Sequence, residues 1–372
     1  MYRSQYGRQR IYADDVQSVT NVLISDFLTQ GPTVSHFEAA LARQCGVRYV
    51  VAVCNGTAAL HLAYLAAGLK KGDEVIVPAM TFVATTNMLL AVGAKPIFCD
   101  IRADTYNIDE TKIERLITAR TKAIVPVHMC GHPCDMATIR TIARKRKLMV
   151  IADGAHALGA TYHGKPNASY ADMTTFSFHP VKTITTGEGG AIVTNDRRLY
   201  ERLKLLRTHG VTKDNNGFIA MSALGFNYRI TDIQCALGLS QLQKLQQFNR
   251  TRRAIVQWYH KKLCDIDQII LPVELPSIRS SWHLYVIRTK KKADRLPLYH
   301  YLLKHGIGVN FHYPAVYRHP YYRAHGWRHF SLPECERYSD TAITLPLHVH
   351  LTKNDIQSVA SAIKYYFGRL KK

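Results

Sequence analysis

The 372-residue chain is predicted to be an α/β protein, with a large domain on a mostly parallel sheet over residues 1–250 and a smaller α+β domain over 251–372. Three observations lead there. Between residues 48 and 195, short apolar runs alternate with segments of helical period, as strands and their crossover helices do. A long helical stretch then ends in a proline-bearing passage, Ile270-Leu271-Pro272 to Pro276, that reads as entry into a second domain. The length, with 47% hydrophobic and 20% charged residues, is enough for two substantial cores and argues against long disorder.

In chain order, the predicted strands are residues 49–54, 75–77, 96–99, 123–127 and 148–152. Helix starts are marked by capping side chains. Asp135 precedes Met136-Ala137-Thr138-Ile139, and Thr231 or Asp232 precedes Ile233-Gln234-Cys235-Ala236-Leu237. The second of these helices is expected to continue through Leu245 to about Cys264. Beyond it, 281–287 reads as a strand and 296–305 as a helix.

Bulk composition narrows the function classes. No segment approaches the ~20 apolar residues of a membrane helix, the first ten residues lack the apolar core of a signal peptide, and eight scattered cysteines fit reduced thiols, so a cytoplasmic location is expected. The net charge of +22 is compatible with nucleic acid, an anionic surface or polyanionic small substrates. Its two densest clusters, Arg144-Lys145-Arg146-Lys147 and Lys290-Lys291-Lys292, lack interleaved aromatics for base stacking and read as solvated surface. Nucleic acid is therefore not the expected partner.

The chemistry is expected at the ends of the strands. Lys182 stands in Thr175-Phe176-Ser177-Phe178-His179-Pro180-Val181-Lys182, just before the turn Gly187-Glu188-Gly189-Gly190, and is either a solvated loop amine or a lysine held for reaction. Asp153 ends the run Leu148-Met149-Val150-Ile151-Ala152-Asp153. An unpaired carboxylate there is costly to bury, so it serves as a helix cap, an ion-pair partner or the counter-charge of a protonated pyridine nitrogen. An amine and a carboxylate at adjacent strand ends point to a bound aromatic cofactor. His156 is either a core histidine or a donor to a ring oxygen. The turn Asn55-Gly56-Thr57-Ala58-Ala59-Leu60 opens a helix, where free N–H groups and the helix dipole favour a phosphate, although a plain connection has the same form. Phe82, after the strand at 75–77, is either a ring platform or a core residue of the next helix.

His128, Cys130, His132 and Cys134 have the composition of a zinc site, but Gly131 and Pro133 leave their geometry unspecified and no metal is expected. His312, His319, His325, His329, His348 and His350 match no standard ligand spacing.

Read together, these motifs resemble those of the DegT/DnrJ/EryC1/StrS sugar aminotransferases, a family dependent on pyridoxal phosphate (PLP). The likeness extends over nearly the whole chain, from Tyr6-Gly7-Arg8-Gln9 and Leu28-Thr29-Gln30-Gly31-Pro32 to Gly225-Phe226-Asn227-Tyr228-Arg229. It implies the fold-type I, aspartate aminotransferase-like architecture. It also implies that Lys182 forms the internal aldimine and shuttles protons, that Asp153 pairs with the pyridine nitrogen, and that His156 lies near the ring oxygen. By the same resemblance Phe82 stacks on the ring, Gly56, Thr57, Ala58 and Ser177 hold the phosphate, and Asn227 reaches it from the neighbouring subunit of a homodimer. Tyr6, Phe27, Thr29, His312 and Tyr313 are expected at the sugar or nucleotide, and Arg229, with Arg8 and Arg323 as alternatives, at a donor carboxylate.

The implied reaction is transamination of a nucleotide-linked keto sugar with L-glutamate as amino donor. Within the family the likeness is greatest to transaminases acting at C4 of a UDP-linked 4-keto-6-deoxy N-acetylhexosamine on the way to pseudaminic acid. Rival readings are a dTDP- or GDP-linked sugar, a pyridoxamine-dependent dehydratase, which has histidine where this chain has Lys182, and a non-catalytic nucleic-acid-binding or regulatory protein. Residues 272–330, including Arg279-Ser280-Ser281-Trp282 and Gly326-Trp327-Arg328-His329-Phe330, are harder to match to the family.

Overall fold

The computed structural model describes residues 5–214 and 216–369. Its strands are β1 (Tyr49–Val53), β2 (Glu74–Pro78), β3 (Lys95–Cys99), β4 (Thr121–Ile124), β5 (Met149–Asp153), β6 (Thr161–Tyr162), β7 (Lys165–Pro166), β8 (Met173–Ser177) and β9 (Gly190–Thr194). They continue with β10 (Val211–Lys213), β11 (Ile219–Met221), β12 (Ile269–Ile270), β13 (Ile278–Arg279), β14 (Tyr285–Thr289) and β15 (Ala342–Leu345). Seven of them form the main sheet in the order β1-β9-β8-β5-β4-β2-β3. All neighbours are parallel except at β9, which runs antiparallel to both β1 and β8. The strands are apolar runs because helices cover both faces, as in other parallel sheets.

The reversed strand decides where the lysine goes. Parallel neighbours need a long crossover, but β8 and β9 are joined directly, and their connection emerges at the same edge as the C-terminal ends of β2, β5 and β8. Lys182 lies on that connection. Its base is closed by Phe178 N donating to Gly189 O at 2.8 Å and Thr186 N to Phe178 O at 3.0 Å. Gly190, the first residue of β9, pairs with Val53 on one side and Ser177 on the other.

The single helix expected from about 231 to 264 is two, Asp232–Gln243 and Leu245–Leu263. Thr231 caps the first, with Gln234 completing a capping box. At Lys244 the backbone turns to φ −93°, ψ −4°, and its ammonium reaches Asp14 at 2.6 Å and Asp15 at 3.0 Å. The core changes only further on: Cys235, Leu242, Leu245 and Phe248, on both sides of the break, pack beneath β1 and β9, and Ile255, Tyr259 and Leu263 pack on the C-terminal sheet. Residue 250 therefore falls inside the helix Leu245–Leu263.

The C-terminal part carries the antiparallel sheet β12-β14-β15. Its central strand begins at Tyr285, later than the 281 expected, because Ser281 N and His283 N donate instead to Gly131 O (3.1 Å) and Cys130 O (2.9 Å). That detour carries His283 towards the main sheet. The helix expected at 296–305 is Lys292–Lys304. No helix among the described residues is long and apolar enough to cross a membrane.

Candidate functional site

A cavity of about 530 Å³ opens at the C-terminal ends of the main strands, lined by Lys182, Asp153, His156, Phe82, Gly56 and Ser177 among others. Asp153 is the last residue of β5 and 6% exposed. Its Oδ1 accepts from Ala155 N at 3.0 Å, and its Oδ2 from the Thr85 hydroxyl at 2.7 Å. Because Thr85 spends its only proton there, its lone pair receives the Thr81 hydroxyl, also at 2.7 Å. This threonine pair was not foreseen. Its signal is the i, i+4 spacing across the start of helix Val83–Ala91, which puts both hydroxyls on one face. Thr85→Val should leave a buried acceptor and the Thr81 hydroxyl short of a partner. The expected cost is about 1–3 kcal/mol, read by denaturant unfolding; an unchanged midpoint would show that the chain Thr81–Thr85–Asp153 contributes nothing to stability.

The turn after β1 opens the helix Gly56–Ala66, capped by Asn55, whose Oδ1 accepts from Ala58 N at 2.8 Å. Ala58 is buried and its amide is taken by this cap, so it does not line the cavity, contrary to the sequence expectation. Gly56 and Thr57 do line it, and first-turn amides have no intrahelical acceptor. A Cβ on Gly56 would fall 2.8 Å from Ser177 Cβ, so this close approach of the turn to β8 requires glycine.

Phe82 is the N-cap residue of helix Val83–Ala91 and 54% exposed, a ring on the cavity wall instead of a core side chain. Tyr313 adjoins it, ring centroids 5.7 Å apart. His156 Nε2 lies 3.3 Å from the Tyr313 hydroxyl, while its buried Nδ1 has no partner. Burial, reinforced by the nearby Lys182 charge, pushes the His156 imidazole well below the ordinary histidine range. His283, unforeseen in this role, stands with its ring 4.4 Å from that of His156, and burial depresses it in the same way. His312 bonds Thr344 Oγ1 at 2.8 Å, faces Tyr6 with 5.1 Å between ring centroids, and is pushed down to about 4 by burial. Three imidazoles held below the ordinary histidine range thus share the cavity with the lysine.

Burial pulls the Lys182 amine down to about 8, against the opposing effect of the Asp153 charge. An amine near 8 is a competent nucleophile and base at neutral pH.

Besides Ala58, the expected residues Asn227, Arg229, Phe27 and Thr29 lie outside this cavity. Asn227 is exposed and bridges Thr208, Arg229 bridges Val53, Phe27 is exposed over Gly31, and Thr29 bridges Thr231. Each bridge is a backbone contact, and only that of Arg229 is made to a strand of the main sheet, β1. Of the histidine and cysteine group at 128–134, His128 Nδ1 accepts from Cys134 N at 3.2 Å and Cys134 Sγ donates to Val127 O at 3.2 Å.

The model of the DegT/DnrJ/EryC1/StrS aminotransferase family matches residues 9–364. The chain belongs to this family. It is therefore an enzyme of the aminotransferase class with the fold-type I architecture, and aminotransferases of the family depend on PLP. The spore coat polysaccharide biosynthesis protein SpsC of Bacillus subtilis is 35% identical over 372 residues, covering 96% of each chain. Helicobacter pylori PseC, an aminotransferase of pseudaminic acid biosynthesis, superposes with a TM-score of 0.94 at 34% identity, over 98% of this chain and 99% of its own. Spr1654 of Streptococcus pneumoniae, solved in its PLP form, gives 0.93 at 30% identity, over 98% of both chains.

The cavity fits that cofactor on its own terms. It offers an acceptor pair at Asp153, an unpartnered buried nitrogen at His156, an exposed ring at Phe82 and a glycine turn at the head of a helix.

Proposed function

We propose that the protein transfers an amino group from L-glutamate to C4 of a UDP-linked 4-keto-6-deoxy N-acetylhexosamine. The observation that carries the reaction is Lys182, its amine lowered to about 8, in one cavity with Asp153 and a half-exposed aromatic ring. The sugar rests on likeness to PseC and SpsC, which act in sugar and polysaccharide biosynthesis by name. Bound PLP supplies the electron sink for the pair left when the donor's α-carbon loses its proton.

In this reading Lys182 Nζ takes that proton and returns it on the other side of the transfer. Asp153 holds the proton on the ring nitrogen, and Thr85 and Ala155 N fix the carboxylate's orientation. With the cofactor bound, His156 would donate to the ring oxygen, Phe82 would stack on the ring, and Ser177 with the Gly56 and Thr57 amides would receive the phosphate. Tyr6, His312 and Tyr313 line the same cavity and meet the sugar. Asn227, Arg229, Phe27 and Thr29 contribute only when a second subunit presents them. The remainder of the reading is a homodimer in the cytoplasm.

Glutamate should bleach the visible band of the purified enzyme, and a UDP-linked 4-keto sugar should restore it with an aminated product by mass spectrometry. Recovery with only a dTDP- or GDP-linked sugar would overturn the substrate, and a protein colourless after incubation with PLP would overturn the reaction.

The rate of PLP capture by cofactor-free protein should climb with pH around 8 and flatten above it. At pH 7.5 roughly a quarter of such an amine is neutral, against about a thousandth for an ordinary lysine. A rate still rising at about pH 10, the ordinary lysine range, would contradict the lowered amine.

The dimer rests on the hairpin β10–β11 and its flank, where Phe218 (71% exposed), Ile219 (78%), Met221 (69%) and Leu224 (74%) find no apolar cover among the described residues. Ile219→Asp combined with Leu224→Asp should yield monomers in sedimentation velocity. A wild-type chain that sediments as a monomer at micromolar concentration would sink the idea.

A further inference from the structure

We propose that a second cavity, walled off from the first by Phe176, binds a small polyanion carrying phosphate or carboxylate groups. Phe176 lines both spaces. The second is about 290 Å³, at the small end of the roughly 300–1,000 Å³ typical of ligand pockets. Helix Pro32–Cys45, the hairpin β6–β7, helix Leu245–Leu263 and β13 enclose it.

Arg250, Arg253 and Arg279 converge there, and no Asp or Glu is among the described residues that line it. Arg253 is partly committed, to Glu274 at 2.9 Å and to Ser280 O at 2.8 Å. Arg250 and Arg279 have no ion pair or side-chain hydrogen bond among the described residues. Three guanidiniums against one neighbouring carboxylate leave an excess that a dianion would match.

Two amides make this more than a basic patch. Asn167 is 2% exposed and its Nδ2 has no acceptor; Asn249 Oδ1 likewise has no donor, although its Nδ2 reaches Leu158 O at 3.3 Å. Unsatisfied buried amides are rare in folded proteins, and both side chains stand on the wall of this cavity, where a turn about their side-chain bonds brings the amides to a bound group. Hydrogen phosphate or a partly protonated polycarboxylate presents acceptors to Asn167 and the guanidinium forks, and one hydroxyl to Asn249. Arg279 and Ser280 belong to the region, 272–330, that is harder to match to the family. The proposal stands independently of the sugar substrate.

The test is calorimetric titration of the PLP-loaded enzyme, whose phosphate turn at Gly56 is already filled, with inorganic phosphate, pyrophosphate and citrate. One of them should bind once per chain, and Arg250→Gln combined with Arg279→Gln should weaken it about tenfold or more. Tighter binding of the phosphates assigns a phosphorylated ligand; tighter binding of citrate assigns a polycarboxylate. Arg144→Gln combined with Lys145→Gln removes the same charge elsewhere and should change nothing. Should the first pair destabilise the fold, Asn167→Asp, nearly isosteric, should produce the same loss through repulsion. The proposal is overturned if none of the three binds below about 10 mM, or if the surface pair weakens binding as much as the cavity pair.

Discussion

Lys182→Ala should give a folded protein without the visible band, with turnover lowered about 10²–10⁴-fold or more, the range expected when a positioned proton-transfer group is lost. Folding should survive because the loop is closed by main-chain bonds among Phe178, Thr186 and Gly189, none of which uses the lysine side chain. Relief of a buried amine even favours the variant's stability. Absorbance, circular dichroism and turnover measured on one preparation decide the matter. A variant that keeps the band would place the covalent attachment elsewhere.

Asp153→Asn should lower turnover by about 100-fold or more, since each unit by which the carboxylate raises its partner's pKa is a factor of ten between protonation states. The substitution preserves shape and an acceptor for Thr85 but sets its NH2 against Ala155 N, so the loss combines the missing charge with one hydrogen bond. A second readout has a definite sign. The Asp153 charge raises the Lys182 amine, opposing burial. Without it the amine should drop further, and the midpoint of PLP capture should move below 8. An upward shift would mean that Asp153 does not act on Lys182 as described.

Much of this site was legible because its residues stand at strand ends, where an apolar run stops at a carboxylate, a glycine turn or a ring. Lys182, Asp153, His156, Phe82, Gly56, Thr57 and Ser177 all follow that rule, and the structure gathers them around one cavity together with Tyr6, His312 and Tyr313. What escaped depends on contacts distant in sequence. Thr85 reads as an ordinary helical residue until the Asp153 carboxylate is placed 68 residues away in the chain. His283 reads as part of a strand, and reaches the cavity only because its neighbours pair with Cys130 and Gly131. Ala58 was credited with an amide that Asn55 uses for capping, a competition visible only once the helix start is fixed. The break at Lys244 was hidden because apolar periodicity continues across it, and Leu242 and Leu245 on either side face the same core.

The double pairing of Gly190 has a dimensional consequence. Val53, which leads into the anion turn, and Ser177, which leads into the lysine loop, flank the same residue on adjacent ladders. Two ladder spacings of about 4.8 Å each therefore set the distance between these strand ends. The central sheet acts as a gauge block: either loop can lengthen, shorten or change its side chains without altering the interval, and only a slip of β9 by a whole residue resets it.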